Sequence, residues 1–188
     1  MTAVQLDVIP ALILWLLLPA WILAGFLDWL CHRRSQIAVH CGPWESLMHL
    51  LLLAQAGAAL ILGMLFEINE VVLALLLLCF VLHEITGYAD IRFAHARRDI
   101  SPAEQRIHDY MTAMPVTALF LVAILHWPAA RSIALDPASI LAAPLRLKSP
   151  PLPVPQVLGI FAGVFLFSLL PYVEELYRGI RALKTRNR

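Results

Sequence analysis

Five long runs of apolar residues follow one another along the chain, and short polar segments separate them. These runs are near the length of about 20 predominantly apolar residues that a helix needs to cross a bilayer. Because backbone groups in lipid must be hydrogen-bonded within the segment, each run is predicted to be a helix. The predicted spans are residues 8–30, 45–66, 71–88, 104–127 and 157–172. The pattern predicts an all-α integral membrane protein of about five transmembrane helices.

The composition agrees with a membrane protein and excludes some partners. Hydrophobic residues make up 61% of the chain and charged residues 14%, whereas a soluble domain has about 45–50% and 25%. The formal net charge is only +1 and the chain has no glycine-rich phosphate loop, so no nucleic-acid partner is expected. Cys31, Cys41 and Cys79 lack the spacing of a disulfide or a metal motif, and we expect free thiols.

Basic residues are concentrated in the first and third connections and after the fifth run. They are Arg33 and Arg34, then Arg92, Arg97, Arg98 and Arg106, then Arg178, Arg181, Lys184, Arg186 and Arg188. Since cytoplasmic connections carry the excess of Lys and Arg, we expect a plasma (inner) membrane protein with its N-terminus outside and its C-terminus in the cytoplasm. This topology and anionic headgroups are sufficient to explain the arginine pairs, including Arg97 and Arg98.

An internal repeat relates the second and fourth runs. Pro43-x-Glu45-x-x-x-His49 opens the second, and Pro102-x-Glu104-x-x-x-His108 opens the fourth. An aspartate, a histidine and paired arginines precede both motifs. The repeat predicts two similar helical hairpins that form a four-helix bundle, with the fifth helix beside it. We therefore expect a bundle over residues 1–127, a proline-rich extracytoplasmic loop over 128–155, and a fifth helix with a basic cytoplasmic tail over 156–188.

Carboxylates and imidazoles recur four residues apart, which places them on one face of a helix. The pairs are Asp28 with His32, Glu45 with His49, and Glu104 with His108, while the third helix offers His83 and Asp90 seven residues apart. With a topology taken from Lys and Arg alone, all eight residues fall toward the cytoplasmic ends of four helices. The candidate site is therefore shared by the whole bundle.

Burying so many ionisable groups in a membrane requires compensation, since each costs about 2.5–3.5 kcal/mol on insertion scales. Two divalent metal ions would compensate carboxylates and imidazoles together. The predicted metal ligands are Asp28, His32, Glu45, His49, His83, Asp90, Glu104 and His108.

Simpler roles exist for some of these residues. Ser101 and Glu104 form a capping box around Pro102, and Glu45 lies in the first turn of its helix, where the helix dipole favours an anion. Both glutamates are thus either ligands or helix caps. On the third helix, either Asp90 or the loop residue His95 could complete the set.

The ligand set over residues 28–108, with its Glu45/His49 and Glu104/His108 pairs, resembles that of integral-membrane non-haem di-iron proteins. This broad group includes alkane and fatty-acyl hydroxylases and desaturases, and the membrane-associated alternative oxidases are similar in their carboxylate-rich helices. The resemblance implies two iron ions and O₂ chemistry on a lipid-soluble substrate.

Three hypotheses of function follow from the sequence. The first is a membrane-embedded metal-dependent oxidoreductase, a di-iron enzyme that uses O₂ to oxidise an acyl chain, a hydrocarbon or a quinol, with an electron-donor protein as partner. Zinc or manganese are the alternative metals, and a zinc-dependent membrane hydrolase is the second hypothesis. The third is a non-enzymatic membrane subunit that binds haem or metal.

Overall fold

The computed structural model describes residues 3–186, and its side chains are described over residues 8–185. Met1, Thr2, Asn187 and Arg188 lie outside the described residues, so the last arginine of the predicted basic tail is among them. The described residues are 84% helical, and they contain no strand. The predicted all-α class is confirmed.

Ten α-helices and two π-helical turns make up the described chain. The α-helices are Ala3–Leu12, Leu18–Arg34, Ile37–His40, Pro43–Leu65, Glu70–His95, Pro102–Leu125, Trp127–Leu135, Ser139–Ala142, Val154–Val164 and Leu170–Arg186, and the π-helical turns are Ile13–Leu17 and Phe165–Leu169.

Five helical segments are long enough and apolar enough to cross a membrane. In chain order we name them span 1 (Val8–Arg34), span 2 (Pro43–Leu65), span 3 (Glu70–His95), span 4 (Pro102–Leu125) and span 5 (Val154–Thr185). This number agrees with the sequence prediction, and the chain is a multi-pass membrane protein.

Local sequence sets where spans 2, 3 and 4 begin. Gly42 takes a positive φ of 66° directly before Pro43, which occupies the first turn of span 2. Asn69 accepts a hydrogen bond from the backbone N–H of Val72 at the start of span 3. Ser101 does the same for the N–H of Glu104 in span 4. These caps satisfy backbone donors that have no partner within the helix, so Glu104 occupies the predicted capping-box position.

Each of the two π-helical turns lies shortly before a proline in the same span. A proline inside a helix clashes with the carbonyl four residues earlier, which belongs to Trp15 for Pro19 and to Phe167 for Pro171. Both carbonyls lie inside the wider turns, Ile13–Leu17 and Phe165–Leu169. The wider turn accommodates the ring, so spans 1 and 5 continue across the bilayer as helices.

Span 5 packs closely against the start of span 2. A Cβ atom on Gly179 would lie 2.8 Å from the carbonyl oxygen of Gly42, so only glycine permits this approach. Further along span 5, the Tyr172 hydroxyl donates to the carbonyl of Gly25 in span 1. These two contacts hold span 5 against the bundle and place the face that carries Glu175 toward spans 1 and 2.

The interior at one end of the bundle is polar. We call this end the basic end, because Arg33, Arg34, Arg97, Arg98 and Arg178 all belong to it. Large apolar side chains are exposed along every span, as expected for surfaces that contact lipid. The buried polar and charged residues are Asp28, His32, Glu45, Ser46, His49, Asp90, Glu104, Ser168 and Glu175.

The connection between spans 4 and 5 covers the opposite end of the bundle. It contains the short helices Trp127–Leu135 and Ser139–Ala142, where the sequence predicted a proline-rich loop. Pro128 lies in the first turn of the longer one, a position that suits proline. Lys148 donates its backbone N–H to Leu65 and its ammonium to the carbonyl of Gly63, so this connection is fixed to the end of span 2.

Candidate metal centre

Spans 1 and 4 bring four potential ligands together at the basic end. Asp28 and His32 come from span 1, and Glu104 and His108 come from span 4. His32 Nε2 lies 3.3 Å from an oxygen of Asp28 and 3.3 Å from an oxygen of Glu104. His108 Nε2 lies 2.9 Å from the same Asp28 oxygen. We call these residues the four-ligand group; their ligand atoms all lie within 4.8 Å of one another. Asp28, His32 and Glu104 are buried, and the side chain of His108 is 10% exposed.

These separations are compatible with ligand atoms that share a metal ion. Metal–ligand distances of about 2.0–2.1 Å place neighbouring ligand atoms about 3.3 Å apart in a tetrahedral site and about 3.0 Å apart in an octahedral one. Asp28 Oδ1 and His32 Nε2 are buried, and neither has a partner in hydrogen-bond geometry among the described residues. Buried polar atoms without such partners are rare, so these atoms could bind a metal ion.

Glu175 of span 5 orients two of the imidazoles. Its carboxylate accepts a hydrogen bond from His32 Nδ1 at 3.0 Å and another from His49 Nδ1 at 2.8 Å. Since an ionised carboxylate can only accept, both imidazoles carry their proton on Nδ1. When these imidazoles are neutral, each Nε2 has a lone pair and faces away from Glu175, which is how metal-binding histidines are commonly held.

A second position for a ligand lies beside the four-ligand group. His49 Nε2 is 3.3 Å from Asp90 Oδ2, and His49 Nε2 and Asp90 Oδ1 both lack hydrogen-bond partners among the described residues. The rings of His32 and His49 are stacked, with centroids 4.6 Å apart and planes 12° apart. We call His49 and Asp90 the two-ligand position.

Glu45 is paired with an arginine and lies outside both sets of ligand atoms. Arg98 Nη2 lies 2.6 Å from Glu45 Oε1 and 2.5 Å from Glu104 Oε1. Burial lowers the pKa of Arg98, but its hydrogen bonds to Glu104 and Glu45 outweigh that effect and raise the pKa above its usual value. The sequence interpretation of Arg98 as a headgroup contact is wrong, because only 4% of its side chain is exposed.

His83 does not join the cluster either. It lies seven residues before Asp90, which corresponds to about 10 Å along the helix. Its ring is half-buried and meets Trp21 edge-on at 6.0 Å, and its Nδ1 has no hydrogen-bond partner among the described residues. His95 is exposed at the end of span 3, so the structure places Asp90 rather than His95 beside the other candidates.

The sequence reasoning missed Glu175. The predicted fifth span ended at residue 172, whereas the helix continues through Thr185. Ser168, Tyr172 and Glu175 are spaced four and three residues apart, lie on one face and are all buried. That polar stripe on an apolar helix was the available signal. The neighbouring Glu174 is instead partly exposed and accepts hydrogen bonds from Trp29 and Arg178.

The described cluster has a large excess of negative charge. It contains five buried carboxylates, which are Asp28, Glu45, Asp90, Glu104 and Glu175, together with the single guanidinium of Arg98. The formal charge is therefore minus four when the imidazoles are neutral, and minus one when His32, His49 and His108 are all protonated. Unpaired buried charge is costly in protein and more so in a membrane.

Two adjoining cavities extend from this cluster into the bundle. The first has a volume of about 280 Å³ and is lined at one end by Asp28, His49, Asp90 and His108. The second has a volume of about 350 Å³ and continues toward the opposite end of the bundle, where Lys148 lines it. Both are otherwise lined mainly by apolar side chains, and both are of a size that ligand pockets commonly have.

The fold and the site together define the class of this chain. It is an all-α multi-pass membrane protein with buried histidine, aspartate and glutamate groups that could hold a metal ion. Comparison with known proteins finds no match to a family model, to a curated protein or to a solved structure. The assignment of function therefore depends on the chemistry of the site.

Proposed function

We propose that this protein is a membrane-embedded, metal-dependent oxidoreductase with a dinuclear centre, and that iron is the metal. The observation that carries the proposal is the convergence of carboxylate and imidazole ligand atoms at metal-ligand spacing. Three of these atoms, Asp28 Oδ1, His32 Nε2 and His49 Nε2, are buried and lack hydrogen-bond partners among the described residues. The four-ligand group holds one ion. The two-ligand position, His49 with Asp90, holds the other.

The charge of the cluster supports two divalent ions. With neutral imidazoles, two such ions balance the formal charge of minus four. Protonation of all three imidazoles still leaves minus one, and it removes the lone pair from each Nε2. Carboxylate and imidazole ligands from facing helices are typical of di-iron and di-manganese sites in helical bundles, and manganese is the alternative metal for the same ligands.

The stacking of His32 and His49 supports a dinuclear arrangement. Their centroids are 4.6 Å apart, and both rings are held through Nδ1 by Glu175. Two ions bound at the Nε2 atoms would therefore be close neighbours, and dinuclear metal sites have separations of about 3.5–4 Å. This stacking disfavours the haem hypothesis, because axial histidines lie on opposite faces of a haem and do not contact each other.

The cavity beside the cluster supports an oxidation reaction on a lipid-soluble substrate. The two-ligand position leaves coordination sites open, and His49 and Asp90 both line the first cavity. In a monooxygenase reaction, one atom of O₂ enters a C–H bond and the other becomes water, which consumes two protons and two electrons. An acyl chain or a hydrocarbon is the substrate class of this reaction, and an electron-donor protein supplies the electrons. A quinol would instead be the electron donor itself, since two quinols reduce O₂ to two waters and become two quinones.

The location of the basic end supports a cytoplasmic centre. The arginine-rich connections and the end of span 5 all lie there, as the positive-inside rule expects of the cytoplasmic side. We place the protein in the plasma (inner) membrane with its metal centre at the cytoplasmic side, where soluble electron donors have access.

A zinc-dependent membrane hydrolase is the second candidate. The two 3.3 Å separations around His32 Nε2 are those of a tetrahedral site, which zinc prefers. In this case a water activated by zinc would attack a lipid ester or amide. Metal identity and O₂ consumption separate the two candidates.

Elemental analysis of purified protein in lipid nanodiscs tests the proposal. We expect about two iron ions per chain in the wild type. His108→Ala should lose both ions, because it disrupts the four-ligand group and leaves intact only the two-ligand position. His49→Ala is expected to retain about one ion. His95→Ala, with an exposed histidine outside the cluster, serves as the matched control and keeps both ions.

The outcomes assign the function. Iron together with O₂ consumption that depends on an added alkyl or quinol substrate supports the oxidoreductase. Stoichiometric zinc without O₂ consumption would replace it with the hydrolase. A folded wild-type protein that retains no transition metal after growth and purification with iron, manganese and zinc would refute both.

A further inference from the structure

The two cavities adjoin each other and together are long enough to hold one extended apolar chain, so we treat them as one channel. Five residues line both of them, and these are Leu18, Trp21, Ala56, Leu60 and His83. Along span 2 the lining begins at His49 and ends at Met64. Fifteen residues of helix correspond to about 22 Å, which is most of the roughly 30 Å hydrocarbon core of a bilayer. A channel of this length and volume fits one extended hydrocarbon chain.

The two ends of the channel have opposite electrostatic character. The end at the basic side of the bundle is lined by the carboxylates Asp28 and Asp90. The far end is lined by Lys148 and His126. An anionic headgroup is therefore attracted to the far end. The first end repels it when the cluster holds no metal and has no formal charge when two divalent ions are bound, whereas an uncharged chain terminus has no preference for either end.

Lys148 is held at the far end with its charge poorly compensated. Its ammonium donates to the carbonyl of Gly63, and the side chain is half-buried. Burial lowers the pKa of Lys148, and no carboxylate among the described residues counteracts that effect. Burial lowers the pKa of His126 as well, and the nearby Lys148 charge lowers it further. A bound anion would supply the missing compensation.

We infer that the channel binds a single long-chain carboxylate, with its headgroup at Lys148 and its hydrocarbon terminus beside the metal centre. Lys148 and His126 form the headgroup site. This placement of the reacting carbons depends on the proposed function, but the binding mode does not. The carbons that reach the cluster are those most remote from the headgroup, so oxidation falls near the end of the chain, with the O₂, proton and electron balance given above.

Palmitate binding to the protein in phosphatidylcholine nanodiscs tests the headgroup site. We expect Lys148→Gln to weaken palmitate binding about tenfold, equivalent to about 1.4 kcal/mol, and to leave methyl palmitate binding unchanged. Lys148→Arg keeps the positive charge and should keep most of the affinity. Lys184→Gln removes the other lysine of the chain, which is exposed near the end of span 5, and is the matched control.

Photoactivatable palmitates test the orientation. A diazirine at the terminal carbon should label the first cavity, at residues such as Leu52 and Met111. A diazirine next to the carboxylate should label the second cavity, at residues such as Met64 and Val122. Reversed labelling would overturn the inference, and so would labelling that is unchanged by Ala56→Phe at the junction of the two cavities. Equal palmitate affinity in Lys148→Gln and the wild type would also overturn it.

Metal content is measured on the same samples, so the two proposals fail separately. Palmitate that binds a metal-free wild type in the expected orientation supports the channel and removes the dinuclear centre. Full metal content without palmitate binding does the reverse. Since Lys148 lies far from the cluster, Lys148→Gln should keep its metal, which also shows that the variant is folded.

Discussion

The substitution Glu175→Gln tests how much the centre depends on a carboxylate that holds two imidazoles at once. In the wild type, its two oxygens accept hydrogen bonds from His32 at 3.0 Å and from His49 at 2.8 Å. Glutamine has the same shape but only one acceptor oxygen, and its NH₂ group is a donor. One of the two imidazoles therefore faces a donor and loses its hydrogen bond.

The expected effect is large because the site is buried. A buried donor without an acceptor costs about 1–3 kcal/mol, and removal of a group that orients a metal-binding histidine weakens metal binding about 10–100-fold. We expect Glu175→Gln to lower metal affinity within that range. Competition with a chelator of known affinity, carried out on protein in nanodiscs, measures the change.

The neighbouring glutamate provides the control. Glu174 is partly exposed and accepts hydrogen bonds from Trp29 and Arg178, and such surface pairs contribute about 0–1 kcal/mol. Glu174→Gln should leave metal affinity unchanged. If Glu175→Gln and Glu174→Gln behave alike, Glu175 does not orient the ligands and the reasoning about the two imidazoles is incorrect.

Three further predictions concern the surroundings of the centre. Arg98→Gln removes the buried partner of two carboxylates and should destabilise the metal-free protein by about 3–5 kcal/mol, as read from thermal unfolding; an unchanged midpoint would contradict the buried pairing. Burial, and to a lesser extent a hydrogen bond to Glu45, raises the pKa of the Cys41 thiol to about 12. The thiol should therefore resist maleimide at pH 8 and react only after unfolding. Rapid labelling of the native protein would refute its burial. Gly179→Ala should destabilise the protein by about 1–3 kcal/mol, because its Cβ would lie 2.8 Å from a backbone oxygen. Gly57→Ala is the control, because Gly57 has open space around it. Equal stability of the two variants would contradict the close approach.

The sequence predicted the spans well because burial in lipid dominates their energetics. A run of about 20 apolar residues has few alternatives in a bilayer, so the number of spans did not depend on tertiary detail. The four-residue spacing of Asp28/His32 and Glu104/His108 also follows from helix geometry alone. The structure accordingly brings these four residues together.

Other features depended on tertiary structure that no local pattern contains. Arg97 and Arg98 are adjacent and chemically identical, yet Arg97 is exposed and packs over Phe93, whereas Arg98 is buried between two glutamates. Only the course of the connection between spans 3 and 4 decides which arginine turns inward. His83 shares a helix face with Asp90, but its depth in the bundle separates it from the cluster.

The sequence prediction missed the end of span 5 for a different reason. Hydropathy falls after Tyr172 because Glu174, Glu175 and Arg178 follow, so a prediction based on apolar length stops there. The helix nevertheless continues because it packs against the rest of the bundle, with Gly179 in contact with the turn at Gly42. Packing between helices therefore determined the position of the missed carboxylate.

The π-helical turns in spans 1 and 5 change the direction in which the side chains beyond them point. A π-helical turn contains one residue more than an α-helical turn, which rotates everything beyond it by about 100° relative to an uninterrupted α-helix. Asp28, His32 and Glu175 all lie beyond such a turn. Winding all five residues of Phe165–Leu169 as a regular α-helix would therefore turn Glu175 away from both histidines, although no ligand would have been mutated, whereas deletion of one residue from that turn would keep its direction.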